Sequence, residues 1–260
     1  MKIAFIVDGF PQLSETFILN QITGLIDRGH DITIVASHRT DSSKRHGNVD
    51  AYKLMERVRY FDIPERKLAR FVKALILFIA NFHRDPLKLL KALNVFVYGK
   101  DSLNLRILYW LIPFLGKQYD IIHCHFGPNG IIGAYLKTLG IPGAIVTTFY
   151  GYDVSQYPRY TGRNAYTFLA AQGDFFIAIS SFIAQRAQEL GIPKDRIARV
   201  PLGILLEFYA FKEKRYSPGD PVRIVSVARL VEKKGIEYSV KAVGMLVKKY
   251  PLIIYQSIFF

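Results

Sequence analysis

MKIAFIVDGFPQLSETFILNQITGLIDRGHDITIVAS, residues Met1–Ser37, decides the fold. Lys2–Val7 is an apolar run of strand length, and Asp8-Gly9-Phe10-Pro11 is expected to break it. Ser14 is placed to cap a helix from Glu15 to about Arg28, with Phe17, Ile18, Ile22, Leu25 and Ile26 along one face. Gly29 ends that helix, and Asp31–Ser37 reads as a second strand. A strand, a helix and a strand completed this quickly predict a parallel α/β sheet.

Further along, the alternation pauses and then resumes. Between residues 39 and 117 the spacing predicts three basic amphipathic helices, at Lys67–Phe82, Pro86–Tyr98 and Leu103–Leu115. Strands are then expected at Asp120–Cys124, Ala144–Phe149, Asp174–Ile179 and Ile197–Val200. Helices fall between them at Asn129–Leu139, Asn164–Ala171 and Ser180–Leu190, the last capped by Ser180 and closed by Gly191. Gly203, Pro218 and Gly219 mark a linker over 201–220, which separates an N-terminal domain over 1–200 from a second one over 221–260. The second begins with strand Val222–Ala228, a basic turn Arg229–Gly235, helix Ile236–Lys249 and strand Leu252–Tyr255. Its 40 residues fall well short of the roughly 100–150 a domain usually needs. The chain is therefore expected to be the first half of a longer, two-domain protein.

Half the residues are apolar and 22% are charged, the balance of a core-forming protein. One cysteine, Cys124, excludes an internal disulfide framework and fits a reducing compartment. Met1–Val7 leads straight into a strand without a cleavable leader, and the longest apolar candidate, Ala74–Ala80, is too short to span a bilayer. A cytoplasmic location is expected. The net charge is +14, and residues 39–117 hold 16 Lys/Arg against 7 Asp/Glu. That stretch reads either as a solvated helix surface or as a face for an anionic membrane surface, which would place the protein peripherally on the inner face of the cell membrane. No nucleic-acid-binding motif is present, so nucleic acid is not an expected partner.

Ligands of open parallel sheets sit beyond the carboxyl ends of the strands, which singles out four loops. Asp8–Thr16 carries Gly9 ahead of a helix N-terminus, suited to an anion or a sugar hydroxyl, or to turn and cap chemistry alone. It lacks a G-x-G-x-x-G dinucleotide fingerprint. In His123-Cys124-His125-Phe126-Gly127 the two imidazoles point to one side of a strand end. They are fit to bind an acceptor, to move protons, or to serve as hydrogen-bonded core groups. Without a third ligand nearby they make no metal site. Thr147–Asp153 is a polar, aromatic, glycine-containing loop that suits either a sugar platform or a simple strand-end turn. Arg229, Lys233, Lys234 and Gly235 lie between a strand and a helix, where cations and backbone donors can hold a diphosphate; an exposed basic turn reads the same way.

In order, PQLSETFI, IIHCHFG, TTFYGYDV, ISSFIAQRAQELGIPKDRIARVPLGI and SVARLVEKKGI resemble glycosyltransferase family 4, retaining enzymes of the GT-B fold. SETFI with HCHFG is similar to bacterial enzymes of exopolysaccharide, colanic-acid or lipopolysaccharide assembly. The resemblance implies an α/β fold of GT-B type. In it a Rossmann-like N-terminal domain with a parallel sheet takes the acceptor, and a second Rossmann-like domain, present here only as its first β-α-β portion, holds the nucleotide sugar. It implies transfer of a hexose from a nucleotide diphosphate sugar to a lipid-linked or polysaccharide acceptor, with no cofactor beyond the donor and no metal. Arg229 and Lys234 match the donor-diphosphate arginine and lysine, and Gly9 falls in the loop facing the donor phosphates. His125, Tyr150 and Asp153 match positions that orient hydroxyls.

Three departures stand out. Tyr150 replaces a usual histidine, and a phenol is a poor base or cation at neutral pH. Leu205 replaces an aspartate. No two of the glutamates (15, 56, 65, 189, 207, 213, 232 and 237) stand eight apart, as the family's paired glutamates require. A rival reading is therefore a catalytically inactive fragment that acts as an acceptor- or membrane-binding module. A second rival is a GT-B sugar-nucleotide epimerase, against which SETFI and HCHFG argue.

Overall fold

The computed structural model describes residues 1–40, 45–206, 209–213, 215, 217 and 219–259. Glu207 and Pro218, within the expected linker, and Phe260 lie outside the described residues. The chain forms two compact units, Met1–Ile204 and Leu205–Phe260.

In the first unit, strand β1 (Lys2–Phe10) leads to helix α1 (Thr16–Asp27), β2 (Asp31–Arg39), a short α2 (Gly47–Ala51) and β3 (Val58–Tyr60). Helices α3 (Lys67–Asn81), α4 (Pro86–Ala92), α5 (Val95–Leu103) and α6 (Arg106–Leu111) follow. Then come β4 (Ile121–His125), α7 (Gly127–Thr138), β5 (Ala144–Phe149), α8 (Tyr152–Ser155), α9 (Tyr157–Thr161), α10 (Thr167–Gln172), β6 (Phe175–Ala178), α11 (Ser181–Glu189) and β7 (Ile197–Arg199). The seven strands make one parallel sheet in the order β3-β2-β1-β4-β5-β6-β7.

Central strand β1 is covered on both faces, which explains its unbroken apolar run. Ile3, Phe5 and Val7 pack with Ile18, Leu19 and Ile22 of α1. Ala4 and Ile6 pack on the other side with Tyr109 and Leu111 of α6 and Leu136 of α7. Phe5 and Ile6 are fully buried, each worth about 1.5–3 kcal/mol of transfer free energy. The strand order reverses between β1 and β4, the place in such sheets where a crevice opens at the carboxyl ends.

Several boundaries differ from expectation. Asp8-Gly9-Phe10 does not break β1, because β2 also runs on and supplies partners: Gly9 pairs with His38 and Phe10 with Arg39. Pro11, without an N–H, ends the strand. Ser14 does not cap α1; Glu15 holds the cap position with no side-chain cap bond. The helix expected over Pro86–Tyr98 is two, because Asn94 accepts from the backbone N–H groups of Phe96 (3.1 Å) and Val97 (3.2 Å) and starts α5 afresh. The Ser180 cap is present, accepting from Ile183 N at 3.2 Å.

The second unit holds β8 (Val222–Ala228), α12 (Ile236–Val247) and β9 (Ile253–Phe259), with the strands parallel and in register from Val222↔Ile253 to Ala228↔Phe259. None of its described residues is buried, and Val225, Val227, Ile254 and Ile258 stand exposed.

Candidate functional site

Three of the four loops lie at the carboxyl ends of β1, β4 and β5, on either side of the strand-order reversal. Residues two apart on a strand share a face, so His123 and His125 both meet Phe5. Their rings stack on each other with centroids 4.4 Å apart, and His125 stacks on Phe5 at 5.2 Å. The parallel register sets His125 beside Thr148 on β5. His123 Nε2 lies 2.8 Å from Thr148 Oγ1, and His125 Nδ1 lies 2.6 Å from the Tyr150 hydroxyl. His125 Nε2 is buried with no hydrogen-bond partner among the described residues.

Burial governs the charge state of this group. It lowers His123 to about 4. It holds His125 well below the usual imidazole range, with the neighbouring His123 adding to the effect. Burial also raises the Tyr150 phenol, reinforced by Asp153 and Glu15. At neutral pH the cluster is two neutral imidazoles and a phenol, held by ring stacking between the imidazoles and a hydrogen bond between His125 and Tyr150 rather than by charge. Aromatic contacts hold Tyr150 in place: Phe17 of α1 and Phe126 each lie 4.7 Å from its ring.

Asp153 is fully buried. Its carboxylate accepts from Gly151 N at 2.8 Å, Tyr150 N at 3.1 Å and Gly127 N at 3.2 Å. It thereby ties the loop after β5 to the start of α7. Burial pushes its pKa up while these backbone donors pull it down. Its backbone carbonyl accepts from the Tyr166 hydroxyl at 2.7 Å. A Cβ on Gly127 would run into that same Tyr166 side chain, so glycine is required where α7 begins. Just before it, Phe126 has φ +71°, a conformation rare for a residue with a side chain.

Gly9 is buried within β1, and a Cβ there would meet His38 Nε2 at 2.7 Å and Thr40 Cγ2 at 2.8 Å. The cavity beside it, lined also by Phe10, Gln12 and Glu15, is only about 10 Å³, room for one water. In the second unit, Arg229 follows β8 directly, and Lys234 closes a single helical turn, Glu232–Lys234. Gly235, at φ +62°, then starts α12. Arg229 and Lys234 are both exposed in one turn ahead of a helix N-terminus, a combination that attracts phosphate. His125, Tyr150 and Asp153 come together in the first unit; Arg229 and Lys234 come together in the second. Thr148, the partner of His123, and Phe126, with its positive φ, both lie inside the quoted motifs, but neither residue type signals its role. Among the described residues, no three His, Cys, Asp or Glu side chains gather where they could hold a metal.

A parallel sheet with polar and aromatic loops at its reversal point, followed by a β-α-β unit with a cationic turn, is an α/β fold of the GT-B type. The model of Glycosyltransferase Family 4 matches residues 14–208, and the chain belongs to that family. It is 35% identical over 253 residues to the putative colanic acid biosynthesis glycosyltransferase WcaL of Salmonella typhimurium, covering 95% of this chain and 61% of that protein. It is 32% identical over 252 residues, at the same coverages, to the amylovoran biosynthesis glycosyltransferase AmsK of Erwinia amylovora. The chain thus spans 61% of the length of these relatives. In structure it is similar to Anabaena Alr3699/HepE in complex with UDP and glucose. The TM-score is 0.59 at 15% identity, over all of this chain and 62% of that one, a likeness of fold alone.

Proposed function

We propose that the complete protein transfers a hexose from a nucleotide diphosphate sugar to a lipid-linked or polysaccharide acceptor in cell-surface polysaccharide biosynthesis, with retention at the anomeric carbon. Membership of the family over residues 14–208 carries this reading, supported by relatives named for colanic acid and amylovoran biosynthesis. The first unit takes the acceptor and the second the donor. Arg229 and Lys234 neutralise charge developing on the leaving diphosphate, a largely electrostatic contribution. Gly9, where a Cβ would meet His38 and Thr40, lets β1 run on beside β2 into the loop ahead of α1, whose backbone donors suit an anion or a sugar hydroxyl. His125, Tyr150 and Asp153 act as positioning residues: buried and neutral or braced by backbone, they fix the loops whose exposed parts, such as Tyr152, meet the sugar. No cofactor is proposed beyond the donor substrate.

The protein works in the cytoplasm at the inner face of the membrane, with the basic helices between residues 65 and 117 resting on anionic lipid. Among the described residues, no helix is long and apolar enough to cross a membrane. Salt-sensitive flotation with anionic vesicles tests the contact, and equal binding to neutral vesicles would sink it. Calorimetric titration with nucleotide sugars tests the transferase. Micromolar binding with turnover is expected of the complete protein. No detectable binding would favour the alternative, an acceptor- or membrane-binding module.

A further inference from the structure

The segment that follows β5 packs beside α11, with Val154 of α8 in one cluster with Ile183 and Ala187. Along that seam lies a cavity of about 510 Å³, lined by Arg159, Arg163, Arg186 and Glu189. Both carboxylate oxygens of Glu189 are engaged within α11: one lies 2.5 Å from the Arg186 guanidinium, and the other accepts from Gln185 Nε2 at 3.1 Å. Among the described residues, no carboxylate is within ion-pair distance of Arg159 or Arg163. Both of these arginines are exposed. Two guanidinium groups that share a cavity without a counter-ion raise the local concentration of anions. Their planar forks match a carboxylate through paired N–H···O bonds.

The rest of the cavity suits a sugar rather than a bare anion. Pro158 and Leu190 give it an apolar wall. Phe182, 64% exposed, stands one turn before Arg186 on the same face of α11, where its ring offers an apolar surface to the C–H side of a pyranose. Glu189 can accept from sugar hydroxyls, but it repels a ligand made mostly of phosphate. A neutral saccharide would leave Arg159 and Arg163 unpaired. Ser155, also on the cavity wall, donates from Oγ to Gly151 O at 2.6 Å. The wall therefore continues from the loop that Asp153 braces.

We infer that this cavity is a subsite for a carboxylate-bearing sugar unit, a uronic acid within a saccharide, with Arg159 and Arg163 holding its carboxylate. That the saccharide is the glycosyl acceptor rests on the transferase reading; the binding itself does not.

The whole chain is titrated by calorimetry with digalacturonic acid and cellobiouronic acid, against neutral galactobiose and cellobiose and against inorganic pyrophosphate. At least one of the acidic disaccharides is expected to bind about tenfold or more tightly than its neutral counterpart and than pyrophosphate. Arg159→Gln with Arg163→Gln is expected to weaken that binding about tenfold, through loss of the charge-assisted contacts. Arg159→Lys with Arg163→Lys, which keeps the charge but not the fork, is expected to recover only part of it. Binding of neither acid, binding unchanged in the Gln pair, or pyrophosphate binding as tightly as the acids overturns the inference. Full affinity in the Lys pair does so too, since it would reduce the cavity to a region of positive charge. Nucleotide-sugar titration of the same samples reads the transferase proposal separately, since Arg229 and Lys234 belong to the other unit.

Discussion

His125 and Tyr150, twenty-five residues apart, meet through a 2.6 Å hydrogen bond between Nδ1 and the phenol. The bond is buried, and the other ring nitrogen of His125 has no partner among the described residues. The imidazole therefore depends on Tyr150 for its hydrogen bonding.

Tyr150→Phe removes that bond while keeping the ring between Phe17 and Phe126. It is expected to destabilise the first unit by about 1–3 kcal/mol, the cost of an unmet buried polar group. Denaturant unfolding checks it. A loss below about 0.5 kcal/mol would show that the bond contributes nothing net.

Asp153→Asn keeps shape but replaces one of two acceptor oxygens by a donor facing backbone N–H groups of Gly127, Tyr150 and Gly151. A cost of about 2–3 kcal/mol is expected, because charged hydrogen bonds are lost and a donor clash is created. Thermal unfolding would show it, together with faster amide exchange at Gly127 and Gly151. Unaltered exchange there would count against the brace.

The buried histidines set a pH dependence. His123 titrates near 4 in the folded chain against an ordinary value of 6.5. The unfolded chain thus binds the extra proton, so stability is full above the unfolded value and falls as pH drops toward 4. For His123 the loss at pH 4 is about 3 kcal/mol, and His125 adds to it in the same direction. Unfolding free energies measured from pH 7 to 4 should fall, and His123→Asn should flatten the slope. An identical slope in that variant would remove His123 as the cause.

Arg229→Ala with Lys234→Ala alters two exposed side chains. Stability is expected to stay within about 0.5 kcal/mol, while affinity for a nucleotide diphosphate sugar falls about tenfold or more. Calorimetry beside thermal melts separates the two effects. Equal affinity would take the diphosphate role away from this turn.

The β1–α1–β2 opening was legible because apolar periodicity and Gly29 both punctuate it. Strand β3 was not: it has three residues, and Arg59 interrupts its apolar pattern. The break at Asn94 carried a readable cap signal, masked by apolar residues on both sides. At the site, the loops could be found because ligand loops follow strands. The His125–Tyr150 bond was hidden, since it depends on how β4 pairs with β5. Nothing in a phenylalanine announces the positive φ of Phe126. Nor does an aspartate announce that its oxygens are taken by backbone, as those of Asp153 are.

The strand order has a consequence in time. Central strand β1 is made first, and it pairs with β2 soon after, but its other neighbour, β4, begins only at Ile121. About eighty residues separate the end of β2 from that point, which a ribosome adds in roughly 4–16 s at 5–20 residues per second. For that interval one edge of β1 waits unpaired. The nascent chain is then most prone to wrong partners, and slowing translation between residues 40 and 120 should lengthen its exposure.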